Sequence, residues 1–122
     1  MSQTVISVVD DMFFASKIRA VAEAVGTEIS SPRSQEAIVS KARATKPRLI
    51  LVDLHNQRTD PVALARELKA DEELRDIKLI GFFSHVQTEL QQNALAAGFD
   101  QVVPRSVFAR DLSNILTADD AD

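Results

Sequence analysis

The stretch Pro47-Arg-Leu-Ile-Leu-Val-Asp53 decides the fold. Its unbroken apolar run, Leu49 to Val52, follows a proline and stops on a carboxylate, and the polar loop Leu54-His-Asn-Gln-Arg-Thr59 comes next. A continuous Leu/Ile/Val run between such breakers reads as a strand buried on both faces, the habit of a central strand in a parallel sheet. Asp53 then stands at its carboxyl end. In open α/β sheets ligand sites form along that edge, in the crevice outside the strand tips. A second run, Val5-Ile-Ser-Val-Val-Asp10-Asp11, also ends on carboxylates. Two neighbouring strands of this type would bring Asp10, Asp11 and Asp53 within a few ångströms of one another.

Outward from these two strands the chain alternates. After a first strand over residues 4–9, Phe14, Ile18, Val21, Ala22 and Val25 recur at helical spacing, and Gly26 ends that helix. A weak strand over 27–31 precedes Ser34, which can cap a helix over 35–45 that Lys46-Pro47 closes. Asp60-Pro61 pairs an N-cap with proline at the first helical position, for a helix to about Ala70. A charged connection leads to a fourth strand over 77–84. Thr88-Glu-Leu-Gln91 has the form of a capping box for a helix ending before Gly98. A fifth strand over 101–104 and a last helix over 107–116 follow, and the acidic tail 117–122 is expected to be disordered. Five strands alternating with five helices, (βα)5, call for right-handed crossovers and a doubly wound parallel sheet, an α/β fold.

Composition bounds the function. The 122 residues, 45% apolar, fit one domain over 1–122. A net charge of −4 argues against nucleic acid or an anionic membrane as the main partner. With no cysteine there is neither a disulfide framework nor a thiolate metal site. The N-terminus lacks a basic n-region and no apolar run approaches the roughly 18 residues of a transmembrane helix, so a cytoplasmic protein is the default.

The Val-Val-Asp10-Asp11 and Leu-Val-Asp53 strand ends, with Ala-Ala-Gly98-Phe-Asp100 leading to a basic Arg105, resemble the receiver domain of two-component response regulators. Asp11 and Asp53 lie 42 residues apart and Asp53 and Arg105 lie 52 apart, spacings of the size seen in that family. The resemblance implies a flavodoxin-like sheet, with Asp53 as phosphoacceptor and Asp10 and Asp11 holding Mg²⁺ together with Asp53 and the backbone carbonyl of His55. Clustered carboxylates repel one another unless protonated or neutralised, and Mg²⁺ accepts one or two of them while keeping waters for a phosphoryl group. A carboxylate nucleophile then forms an aspartyl phosphate, with positioning and charge neutralisation as the main aids. The implied partners are a histidine kinase or phosphotransfer protein and a downstream effector bound through residues 87–108 and the last helix. A homodimer through that face is a further expectation. The protein is expected to be a signalling module and not an enzyme.

The chain departs from the family at several points. Arg105 stands where lysine is usual, and a planar, permanently charged fork favours bidentate pairing with carboxylates where ammonium acts as a point charge. Ser106 follows it in place of proline; a cis bond there would cost about 2.5–4 kcal/mol. The switch Thr/Ser position falls on Phe83, with Ser84 one residue on, and a one-residue slip would turn Ser84 inward. The loop after Asp53 lacks its usual glycines, and no aromatic precedes the base.

Duller readings stand beside these. Asp10 can be an N-cap of the first helix, Arg105 a surface cation, His55 and His85 solvated loop residues, and Phe13, Phe82, Phe83, Phe99 and Phe108 packing residues, with Phe13 available to a rim. A second functional reading is a degenerate pseudo-receiver, an interaction module in which Arg105 pairs with Asp53 or Asp11 and holds one state without phosphate. A third, a metal-dependent phosphohydrolase, lacks the Asp-x-Asp spacing on the first strand that would supply a general acid.

Overall fold

The computed structural model describes residues 3–117. Five strands, β1 Gln3–Val8, β2 Thr27–Ser30, β3 Leu49–Asp53, β4 Lys78–Phe83 and β5 Gln101–Pro104, form one parallel sheet in the order β2-β1-β3-β4-β5. Between and after them run α1 Met12–Val25, α2 Gln35–Thr45, α3 Pro61–Ala70, α4 Thr88–Ala97, α5 Arg105–Arg110 and α6 Leu112–Thr117. The sheet is doubly wound, as the alternation requires. Strand order reverses between β1 and β3, which makes their carboxyl ends the topological switch point.

Side-chain alternation divides the interior into two cores. Ile50 and Val52 of β3 join Ile6, Val8 and the buried residues of α2, α3 and α4. Leu49 and Leu51 join Val5, Phe82 and the buried residues of α1, α5 and α6. Every residue of β3 is buried, as its unbroken apolar run demands. Asp53 continues the Leu49–Leu51 face and so ends on the side of α1 and α5.

Local signals explain most of the boundaries. Gly26 follows α1 at φ 78°, with its N–H on the carbonyls of Ala22 and Glu23. Ser34 Oγ accepts from Ala37 N, and Asp60 Oδ1 accepts from Val62 and Ala63 N, so both expected caps form. Asp100 ties β5 to β4, its carboxylate accepting from Leu79 N at 2.8 Å while its own N–H donates to Leu79 O. At Gly81 of β4 a Cβ would meet Leu54 Cδ2 at 2.9 Å and Phe99 Cδ1 at 3.2 Å; the missing side chain lets the chain beyond Asp53 fold closely over the sheet.

Three expectations need correction. The expected last helix over 107–116 begins at Arg105, directly after Pro104, and divides at Asp111, giving six helices where five were expected. Asp111 has φ −98° and ψ 8°, near the helical region, and its carboxylate is held by the Arg110 guanidinium; the i→i−4 bonds on both sides persist. The capping box at Thr88 does not form, because α4 starts one residue earlier than the box needs. Thr88 is already helical, the preceding Gln87 supplies no side-chain bond, and the Gln91 Oε1 is buried without a partner. Of the expected disordered tail 117–122, Thr117 belongs to α6, with its hydroxyl donating to Ser113 O, and 118–122 lie outside the described residues. No described helix is long and apolar enough to cross a membrane.

Candidate acid cluster at the carboxyl edge

The carboxyl ends of β1, β3 and β5 bring Asp10, Asp11, Asp53 and Arg105 to one end of the sheet, and each carboxylate meets a different environment. Asp53 is only 7% exposed. Its Oδ1 accepts from His55 N at 2.9 Å, while Oδ2 has no hydrogen bond among the described residues. Burial raises its pKa above the ordinary carboxylate value, against the opposing pull of the His55 N–H and of the charges on His55 and Arg105; the neighbouring Asp10 charge adds to the rise. The loop behind it is tied down by Asn56, whose Nδ2 donates to Asp53 O at 2.6 Å and whose Oδ1 accepts from both N and Oγ1 of Thr59.

Asp11, not Asp10, is the N-cap of α1. Its Oδ1 accepts from Phe13 and Phe14 N, and its Oδ2 accepts from an Arg105 nitrogen at 2.8 Å. The Arg105 bond, first, and the Phe14 N–H, second, hold its pKa below the ordinary value. Arg105 lies over the Phe14 ring, Cζ 4.0 Å from the centroid. Phe14 in turn rests on Phe82 and Phe108, which stack on each other at 4.5 Å. The cation is thus seated on a three-ring aromatic layer belonging to the α1–α5 core. No cis peptide bond occurs among the described residues, so Arg105–Ser106 is trans.

Asp10 is the most loosely held. Its Oδ2 accepts from Gln57 N at 2.8 Å and its Oδ1 lies 3.4 Å from Arg58 Nε. Ser84 is exposed beyond the end of β4, and Phe83 is buried in the core on the α3–α4 side. The sheet register pairs Phe83 with Pro104 and leaves Ser84 past the last pairing. Phe13 is 91% exposed at the rim.

Of the carboxylates expected to hold Mg²⁺, Asp10 and Asp11 as placed do not fit it, and Asp53 alone keeps an oxygen without a hydrogen bond among the described residues. Both oxygens of Asp11 are taken, one by helix N–H groups and the other by a guanidinium, and Asp10 is divided between a backbone N–H and Arg58. Among the described residues no group of three His, Asp or Glu side chains is close enough to hold a metal ion. A hard dication needs carboxylate oxygens turned toward a common point; here two arginines supply the compensating charge.

Sequence reasoning missed three features. Arg58 approaches Asp10 from the β3–α3 loop, which no spacing rule marks. Asn56 and Thr59 organise that loop, and an Asn followed three residues later by Thr is the local turn signal that points to it. His55 and His85, read as separate loop residues, meet edge to face with ring centroids 5.5 Å apart.

No family model and no curated protein sequence matches the chain. Solved structures do. The receiver domain of a sensor histidine kinase from Pseudomonas aeruginosa, with a magnesium ion coordinated in its active-site cleft, is 22% identical, with TM-score 0.81 over 95% of each chain. A CheY-like response regulator receiver from Methanospirillum hungatei is 21% identical, with TM-score 0.79 over 94% of this chain and 90% of that one. The phosphorylated cyanobacterial phytochrome response regulator RcpA is 18% identical, with TM-score 0.80 over 95% and 89%. The chain has the CheY-like fold of response regulator receiver domains. At these identities the likeness is one of fold.

Proposed function

We propose that the chain is a receiver-type signalling module, a domain over 1–122 that acts through protein–protein contact without a bound metal, its acid cluster neutralised by Arg105. The observation that carries this reading is the Arg105–Asp11 ion pair at 2.8 Å, seated on the Phe14 ring. A permanent cation there does for the cluster what a metal would otherwise do, and its fork is held both by a carboxylate and by a ring face. The interaction surface is the one the resemblance implies, residues 87–108 with the last helix, and no catalytic turnover is assigned.

Amide NMR with added Mg²⁺ tests this. Millimolar Mg²⁺ is expected to leave the Asp10, Asp11, Asp53 and Arg105 signals of the natural chain in place, and to move them in Arg105→Ala. Shifts of equal size in both proteins would overturn the reading.

Asp53 favours a second reading, in which a histidine kinase or phosphotransfer protein donates to it. Its buried carboxylate keeps Oδ2 without a hydrogen bond, so an O–P bond can form there as the donor's N–P bond breaks. Arg105 would have to leave Asp11 to reach the new charge. Mass spectrometry after incubation with acetyl phosphate, with Asp53→Asn as the control, decides between the two; a phosphoryl adduct present only in the natural chain establishes the second.

A further inference from the structure

We infer that a cavity of about 180 Å³ beside the acid cluster, at the switch point between β1 and β3, is a binding site for a small organic phosphate. Three arginines line it, Arg19 from α1, Arg33 from the β2–α2 loop and Arg58 from the β3–α3 loop, against one carboxylate, Asp10. Arg58 and Asp10 are within 3.4 Å of each other. Arg19 and Arg33 have no hydrogen bond or ion pair among the described residues, so the cavity presents two uncompensated positive charges.

Its floor is polar too. Ser7 lines the cavity from β1, is only 3% exposed, and makes no side-chain hydrogen bond among the described residues. Among the described residues Gln91 Oε1 is the one buried side-chain atom without a partner, so the Ser7 hydroxyl reaches the cavity space, where water or a ligand can meet it. Ser16 and Ser31 add two more hydroxyls at the mouth, while Met12 and Pro32 give an apolar wall. Helical spacing explains the α1 side: Met12, Ala15, Ser16 and Arg19 fall on one face.

The ligand class follows from charge, shape and volume. A phosphate monoester carries about −1.5 to −2 at neutral pH, which matches two free guanidinium groups whose planar forks suit its oxygens. At about 30 Å³ for each water in the liquid, the cavity equals roughly six waters, more than a bare phosphate needs. It is also smaller than the roughly 300 Å³ at which pockets for drug-sized molecules begin, which excludes an intact dinucleotide. A phosphate with a short polar organic body against Met12 and Pro32 fills it. Such a site is separate from the acid cluster and shares only the Asp10–Arg58 pair with it.

Ribose 5-phosphate is the probe, with ribose and inorganic phosphate as separate arms, followed by amide NMR on the whole chain. Saturable binding of ribose 5-phosphate at millimolar concentration is expected, with shifts at Ser7, Ser16, Ser31 and Arg33, no binding of ribose, and weaker binding of inorganic phosphate. The double variant Arg19→Gln/Arg33→Gln, both positions exposed, should keep its thermal midpoint and bind about tenfold more weakly or worse. Asp53→Asn should bind as the natural chain does. Absence of saturation, equal affinity in the double variant, or shifts confined to Asp53 and Arg105 would each overturn the assignment.

Discussion

Asp11 and Asp53 are the same residue at the same edge of one sheet, and their surroundings drive them in opposite directions. Asp11 is partly exposed, caps a helix and accepts from a guanidinium, and its proton is released early. Asp53 sits at the end of a wholly buried strand with a single backbone N–H on its carboxylate, and its proton is held longer. Strand order puts both at the switch point; the difference comes from what the following segment does. After Asp11 the chain turns at once into a helix and uses the carboxylate for its first N–H groups. After Asp53 it makes a loop pinned by Asn56, which bonds to the Asp53 carbonyl and leaves the carboxylate largely alone. Position in the fold gathers the acids, and local hydrogen bonding decides which of them is spent on structure.

The comparison is broken most severely from beneath. Phe82 pairs in register with Asp53 and forms part of the aromatic layer under Arg105, so it supports both sides. Phe82→Ala should cost about 3–5 kcal/mol in a denaturant titration, the usual loss for a fully buried phenylalanine. A loss under about 1 kcal/mol would mean that the layer contributes little.

Stability as a function of pH separates the two acids directly. Because the folded state holds the Asp53 proton more tightly than the unfolded chain, stability falls as the pH rises from 3.8 through the raised pKa and is level above it. Because the folded state holds the Asp11 proton less tightly, that residue's contribution is complete above 3.8 and is lost as the pH falls through the lowered pKa. Thermal midpoints from pH 2 to 8 should therefore show Asp53→Asn removing the decline above pH 3.8 and gaining stability at neutral pH. Asp11→Asn should shrink the acid loss without abolishing it, since Asp71, bonded by Glu73 N and held by Arg43, is lowered in the same way. Identical profiles for the two variants would erase the distinction.

The smallest effect sharpens the role of the arginine. Arg105→Lys keeps the charge and replaces the guanidinium over Phe14 with a smaller ammonium, giving up at most a cation–π contribution of about 0.5–1 kcal/mol. The denaturation midpoint should fall by no more than that, and by nothing further in a Phe14→Leu background, where the ring is already gone. A second, additive loss there would place the arginine's contribution elsewhere.

Much of this architecture was legible in the residues. The run Leu49 to Val52 identified the central strand because burial on both faces leaves no polar alternation, and Ser34, Asp60 and Gly26 marked helix ends because capping uses few residue types. Asp11 and Asp53 were found as the carboxylates that end two apolar runs and Arg105 through the resemblance to receiver domains, and all three lie at one edge. What remained hidden depends on side-chain reach. Nothing local indicates that Arg105 selects Asp11 over Asp53, since both lie across the fold from it. The loop carrying Arg58 crosses to Asp10 over 47 residues of sequence, from Asp10 to Gln57, and the cavity draws Arg19 from α1 and Arg33 from the β2–α2 loop. Thr88 misled because a capping box specifies a pattern of residues, while α4 begins one residue ahead of it.

That early start has a consequence for how the molecule breathes. Only two alanines of α4 are buried, its first turn lacks a side-chain cap, Leu95 faces outward at 52% exposure, and the Gln91 amide oxygen is enclosed with no donor. Methyl groups supply little contact area, and an enclosed oxygen gains water when the helix lifts. Subglobal opening begins where anchorage is weakest. Amide exchange in α4 should thus outrun that of α1 and α3, and the sheet beneath it would stay closed while this one helix exchanges its protons.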